Sequence, residues 1–194
     1  EIEYAVENGV VRVCTPLDEV RVQPSLHGEI QAHNVALAFA AMQRSLPTEP
    51  QALAQGALHA YVPGRFEEVE VEGVKLVLDG AHNSEAARVL AETLAADRLE
   101  GLVAIVGMTD GHDPLGFIRA IAPRLRTIHA VPIDYHRSQR PEAIAAAAGE
   151  LGVACRVHET VPEALRAAQA SGGPILVTGS FYLVGEVLRH LKLR

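Results

Sequence analysis

Two hydrophobic rhythms run through the chain. Up to Val22 apolar and polar residues alternate in short runs (Tyr4 and Val6, Val11 and Val13, Val20 and Val22), broken by Asn8-Gly9 and Pro16. A period of two predicts antiparallel strands or a hairpin. From Gln31 to Leu46 the spacing lengthens, and Val35, Phe39, Met42 and Leu46 share one helical face. Pro47 and Pro50 bracket a short linker, and a second helix over 51–60 leads into Val62-Pro63-Gly64-Arg65.

Beyond this point the pattern becomes regular. Glu67 to Leu78, with Glu72-Gly73 in the middle, predicts a hairpin that adds one antiparallel strand. Apolar strand candidates follow at 74–78, 102–106, 127–131, 153–157 and 174–178. Helical patterns lie at 84–96, 114–122, 141–150, 161–171 and 181–192. Pro114 after Asp113, and Thr160-Val161-Pro162-Glu163, are helix-start signals. Strand then helix, repeated about every 25 residues, predicts a parallel sheet joined by right-handed crossovers. The fold class is therefore α/β: a Rossmann-like, mostly parallel sheet with helices on both faces and one antiparallel edge strand.

Composition narrows the function classes. The chain has 194 residues, 48% of them hydrophobic, which suits one complete domain plus a piece of another. A formal net charge of −7 argues against nucleic acid or an acidic membrane as partner, since both need a basic face. Cys14 and Cys155 lie far apart and form no metal-type pair, which fits a reduced, cytoplasmic protein. Apolar stretches such as Leu102 to Val106 are too short to span a bilayer. The chain opens on Glu1 inside a strand pattern, and a piece of a longer protein is expected.

Candidate chemistry concentrates where strands end. Asp79-Gly80-Ala81-His82-Asn83-Ser84 follows the strand at 74–78 and puts a carboxylate, an imidazole, an amide and a hydroxyl in one turn. Asn83 or Ser84 can cap the next helix, but a cap does not explain Asp79 and His82. Gly107 to Asp113, Ile133 to Ser138 and Thr178 to Tyr182 follow later strands. In a parallel sheet these loops leave from the same edge, where open α/β sheets bind ligands. The loops of the opposite edge, 95–101 and 170–173, carry no comparable cluster.

Other residues weigh less. Neither glycine-containing turn has the full dinucleotide fingerprint or a Gly-x4-Gly-Lys-Ser/Thr phosphate loop. A solvated turn explains His112 beside Asp110 and Asp113 better than a metal set does, so no metal ligands are assigned. His33, His59, His158 and His190 read as ordinary surface or core histidines, and Cys155 with His158 lacks a third group for thiol chemistry. Arg65, in the rigid turn Pro63-Gly64-Arg65-Phe66, could clamp a phosphate or carboxylate, or pair with Glu67 or Glu68.

Together these residues resemble the folylpolyglutamate synthase/dihydrofolate synthase family, within the Mur-type ATP-dependent amide ligases. The resemblance rests on Gly28-x-x-Gln31-x-x-Asn34-Val35-Ala36-Leu37-Ala38, Pro63-Gly64-Arg65-Phe66-Glu67, Asp79-Gly80-Ala81-His82-Asn83 and Thr178-Gly179-Ser180-Phe181-Tyr182-Leu183-Val184-Gly185-Glu186-Val187. It implies that residues 1–47 are the C-terminal remnant of a central ATPase domain, 48–62 a linker helix, and 63–194 the C-terminal amino-acid-binding ligase domain. The implied reaction ligates L-glutamate to a folate or dihydropteroate carboxylate through an acyl phosphate, with ATP and Mg2+. Metal ligands and phosphate loop are expected in an N-terminal domain outside this chain, so the 194 residues alone are expected to turn over negligibly. ATP, L-glutamate and folate or dihydropteroate are the implied partners of a monomer.

Residue by residue, the resemblance matches Asn34 to the family asparagine on the adenine, Arg65 to the arginine on the ATP phosphates and Asp79 to the carboxylate at the ribose. It matches His82 to the histidine near the phosphates and incoming glutamate, and Ser180 to the serine at the glutamate side. Three positions depart from the family: Ile30 stands where His is usual, His112 where Lys is usual, and Val62 where Trp is frequent. His112 can present a cation to a glutamate carboxylate only when protonated, or act as a neutral donor. Two other readings remain open, a stand-alone ligand-binding module without catalysis and a related Mur-type ligase with another substrate.

Overall fold

The computed structural model describes residues 3–7, 10–14, 19–45 and 49–193. The chain divides into two compact units, Glu1–Val62 and Pro63–Arg194. The breaks expected at Asn8-Gly9 and Pro16, and the expected positions of Leu46 and Pro47, lie outside the described residues.

In the first unit, strands β1 (Glu3–Glu7), β2 (Val10–Cys14) and β3 (Glu19–Val22) form an antiparallel sheet in that order. Val11 and Val13 alternate inward on β2, as a period of two dictates. They meet Val22, Ala32, Ala36 and Phe39 in a small core, with Leu53, Ala54 and Ala57 packed against it. Helix α1 spans Glu29–Ser45 and α2 spans Pro50–Leu58. The buried stripe of α1 is Gln31, Ala32, Ala36, Phe39 and Ala40, and Met42 is exposed. Alanines this small barely register in a hydrophobic pattern, which is why larger residues such as Met42 pull the expected face round.

The second unit holds a six-stranded sheet in the order β4-β5-β9-β6-β7-β8. Its strands are β4 (Glu67–Val71), β5 (Val74–Leu78), β6 (Leu102–Val106), β7 (Leu125–Ala130), β8 (Cys155–Val157) and β9 (Ile175–Thr178). Only the β4–β5 pair is antiparallel; the other pairs run parallel. Helices α3 (Ser84–Ala96), α4 (Pro114–Ile121) and α5 (Pro141–Glu150) cover one face, through Leu90, Leu94, Phe117, Ile121 and Ile144. Helices α6 (Val161–Ser171) and α7 (Phe181–His190) cover the other, through Leu165, Leu183 and Val187. Every residue of β6 is fully buried, as expected of a strand covered on both faces.

The starts of α3, α4 and α7 each have a side-chain acceptor for an otherwise unpaired N–H. Asn83 accepts Ala86 N–H at 2.8 Å, Asp113 accepts Leu115 N–H at 3.0 Å, and Ser180 accepts Tyr182 N–H at 3.0 Å. Several elements differ from the sequence expectation at their ends, among them β7 (Leu125–Ala130 against 127–131), α2 (Pro50–Leu58 against 51–60) and three more. β8 pairs with β7 alone and over only three residues, because Gly152 turns the chain with a φ of 70° just before it. Pro123 lacks an N–H to continue α4, and Ala122–Arg124 close as a 3-10 turn. α7 stops at His190, with Lys192 in the left-handed region at φ 54°.

Candidate functional site at the carboxyl edge of the sheet

The last strand in sequence, β9, lies between β5 and β6. The loops after β5, β9 and β6 therefore leave side by side. α7 follows β9 onto one face, while α3 and α4 follow β5 and β6 onto the other. In open α/β sheets such a divergence marks the edge where ligands bind. Backbone bonds tie the loops together: Gly179 N–H donates to Ala81 O at 2.9 Å, and Gly107 N–H to Thr178 O at 3.3 Å. The β7 loop joins through Gln139 N–H to Met108 O at 2.9 Å and Asp110 N–H to Arg137 O at 2.8 Å.

Asp79 is the clamp of the site. Its Oδ1 accepts Ala81 N–H at 2.8 Å and its Oδ2 accepts Phe66 N–H at 2.9 Å. One carboxylate thus fixes both its own loop and the Pro63–Phe66 turn that enters β4. Gly80 N–H donates to Gly64 O at 2.8 Å and closes the same junction. Phe66 has a φ of 46°, a costly conformation for a bulky residue, about 1–3 kcal/mol. Its N–H bond to Asp79 and its buried ring hold it there. Burial pushes the Asp79 carboxyl above its usual value, against the two N–H donors and the charges of Arg65 and His82.

Arg65 is exposed, and its guanidinium carbon lies 4.7 Å from the centroid of the Phe181 ring. Of the carboxylates that could pair with it, Glu67 accepts Gly64 N–H at 3.0 Å and Glu68 holds Lys75 at 2.6 Å. His82 Nδ1 lies 3.0 Å from Gly80 O. A carbonyl only accepts, so Nδ1 carries a proton, and whenever the ring is neutral Nε2 is its acceptor. The rings of His82 and His112 meet edge-to-face with centroids 5.1 Å apart. Burial, then the neighbouring His82 and Arg137, push the His112 imidazole below its ordinary value. Ser180 is buried, and its hydroxyl oxygen is engaged as the α7 cap while its proton remains to donate.

A family model described as dihydrofolate synthetase, C-terminal domain, matches residues 64–190. The chain belongs to this family. A probable bifunctional folylpolyglutamate synthase/dihydropteroate synthase of Haloferax volcanii is 30% identical over 185 residues, 93% of this chain and 22% of that protein. Folylpolyglutamate synthase of Mycobacterium tuberculosis, solved with ADP and AMPPCP, superimposes with a TM-score of 0.86 at 26% identity, over 97% of this chain and 47% of that one. A bifunctional folylpolyglutamate synthase/dihydrofolate synthase with Mn, AMPPNP and L-glutamate bound gives 0.78 at 27% identity, over 98% and 46%. The chain thus spans about a fifth of the first relative and about half of the two solved chains.

Within this dihydrofolate synthetase C-terminal domain, Arg65, Asp79, His82, His112 and Ser180 gather along one sheet edge. Asn34 belongs to the first unit, where it sits exposed on α1 and its Nδ2 donates to Gln31 Oε1 at 3.1 Å. Among the described residues no three His, Cys, Asp or Glu side chains are grouped as a metal ion would need. Phe181 emerges as a partner of Arg65 only in the folded structure. A signal was present: an aromatic residue directly follows the cap Ser180 and is brought by β9 beside the small Gly80 of the neighbouring strand. The stacked Tyr135 and Tyr182 rings, 4.0 Å apart, were equally invisible, because one lies in the loop after β7 and the other in the first turn of α7, 47 residues apart in the chain.

Proposed function

We propose that the protein carrying this chain ligates L-glutamate to a folate or dihydropteroate carboxylate at the expense of ATP. The observation that carries this reading is the grouping of Arg65, Asp79, His82 and His112 along one edge of the sheet, in a domain of this family. In the first step a carboxylate oxygen of the pteroyl substrate takes the γ-phosphoryl group, giving an acyl phosphate and ADP. In the second the glutamate nitrogen attacks the acyl carbon, the nitrogen loses a proton, phosphate leaves and an amide remains.

Each residue has a role suited to its geometry. Arg65 faces the ATP phosphates with a guanidinium that stays charged and can bind two oxygens at once. Asp79 spends one lone pair of each oxygen on the backbone, so the remaining lone pairs serve a ribose hydroxyl. Asn34 serves the adenine. His82 stands between the phosphates and the incoming glutamate, with Nε2 free to accept the proton that the attacking nitrogen sheds. Ser180 donates to the glutamate, and His112 binds one of its carboxylates. Holding both reactants at one sheet edge turns a bimolecular attack into a positioned one.

The phosphate loop and divalent-ion ligands are assigned to a part of the protein outside this chain. Residues 1–47 are read as the end of a central ATPase domain, 48–62 as a linker helix and 63–194 as the amino-acid-binding domain. Full-length protein supplied with ATP, L-glutamate and either dihydropteroate or folate should release ADP and yield a product heavier by one glutamyl residue. Arg65→Gln and His82→Ala should each lower kcat/KM by about 100-fold or more, as expected for lost transition-state contacts. ADP release that is indifferent to glutamate and to both pteroyl substrates overturns the reading.

A further inference from the structure

We propose that Phe181 is a positioning residue for Arg65, a ring platform that fixes where the guanidinium meets an anion. The inference rests on the reading of Arg65 as a contact to the ATP phosphates and adds to it a residue with no direct contact to the substrate. An exposed arginine has four rotatable side-chain bonds, and freezing them on binding opposes affinity. Here the guanidinium carbon already lies 4.7 Å from the Phe181 centroid. Stacking against a ring occupies the face of the guanidinium plane and leaves its N–H edges directed outward for bidentate oxygen binding.

Phe181 is itself fixed on three sides. It is the first residue of α7, whose start is pinned by the Ser180 cap. Its ring lies so close to Gly80 that a Cβ there would stand 2.5 Å from three ring atoms, so only glycine fits. Gly64, with a φ of 69°, brings the other side of the junction to within 3.5 Å of the ring for any added Cβ and 2.8 Å of Val184. The Gly80–Gly64 backbone bond and the two Asp79 bonds then hold the Arg65 turn against this assembly. The loop after β5 thus links the ring to the Arg65 turn, and the cation–π contact closes the circuit. An aromatic ring that is 37% exposed, at the edge of the sheet that carries the polar loops, has no comparable use in the core.

The test is a double-variant cycle in the full-length protein with ATP and L-glutamate varied separately. Phe181→Leu, which keeps apolar bulk but removes the π face, should raise the KM for ATP about three- to thirtyfold, the range that a cation–π contact supports. The KM for glutamate should stay unchanged. In the Arg65→Gln background the same change should have no further effect, because its influence passes through Arg65. Gly80→Ala, which displaces the ring without touching Arg65, should move the ATP KM in the same direction. Additive effects in the cycle, or equal shifts in both KM values, overturn the inference. If Arg65→Gln weakens ATP and Phe181→Leu does not, the inference alone falls. If Arg65→Gln leaves ATP binding unchanged, the phosphate-contact reading falls with it. Should the variants fail to fold, NMR of the unaltered protein decides: ring-current shifts on the Arg65 side-chain protons are expected, and random-coil shifts overturn the platform.

Discussion

His129 offers a quantitative test of how tightly the sheet excludes water. It sits on β7 between Ile128 and Ala130, which pack on the α3–α5 face, so its own ring points to the α6–α7 face and is 1% exposed. Its Nδ1 lies 2.8 Å from His158 Nε2, and its Nε2 is buried without a hydrogen-bond partner. The assignment that orphans no proton has Nδ1–H donating to His158 and a bare lone pair at Nε2. Protonating Nε2 buries an unpaired cation. Burial first, then His158 and Arg156, push the imidazole down to about 4. In the unfolded chain the same ring titrates near 6.5. Between these values the unfolded state holds more protons, so stability is complete above about pH 6.5 and falls as the pH drops towards 4.

The full penalty is about 3 kcal/mol, from a shift of about 2.5 pH units. Between pH 7.5 and pH 5 the share lost is about 2 kcal/mol. For a chain of this length that corresponds to roughly 4–8 °C in Tm. The perturbation is His129→Leu, which keeps the volume, removes the titration and leaves half-buried His158 to water. Urea and thermal unfolding of both proteins at the two pH values give the comparison. The unaltered protein should lose about 2 kcal/mol more than the variant on acidification, since the carboxylates common to both cancel. Equal losses, or an NMR titration placing His129 near 6.5, would refute the reasoning.

Two further outcomes follow from the site. Asp79→Asn retains the shape but offers one acceptor where two N–H groups need it. Urea unfolding should show a loss of about 1–3 kcal/mol, with a raised KM for ATP as the Arg65 turn loosens; an unchanged midpoint contradicts the clamp. His112→Lys replaces an imidazole held below its ordinary 6.5 with a cation that persists at neutral pH. The KM for glutamate should fall above pH 7 and lose its rise with pH. A pH profile parallel to that of the unaltered enzyme removes His112 from the glutamate site.

Much of the second unit follows from local chemistry that any reader of the chain can apply. The continuous apolar run Leu102–Val106 can only be a strand buried on both faces, and β6 has those bounds. Asn83, Asp113 and Thr160 announce helix starts because short polar side chains satisfy free N–H groups, and α3, α4 and α6 begin there. The same periodicity placed Asp79, His82, His112 and Ser180 after strands, hence at one edge of a parallel sheet. Ends were harder to read where tertiary contacts set them: β8 pairs with β7 over three residues only, and α1 buries alanines in place of Met42.

Strand order lay beyond the sequence. Periodicity states that a segment is a strand but not which strand it pairs with, since hydrogen-bonding partners are chosen by packing across long chain separations. Inserting β9 between β5 and β6 is a tertiary decision, and it brings Phe181 under Arg65 and sets His82 against His112. Burial is a second such decision. Asp79 and His129 have ordinary titrations as isolated residues and acquire shifted ones only when the surrounding chain removes water from them. The sequence by itself determined the elements, their alternation and the edge that carries the polar loops. The tertiary structure decided which of those loops touch, because contact between residues a hundred positions apart is a property of the packed sheet and of no local pattern.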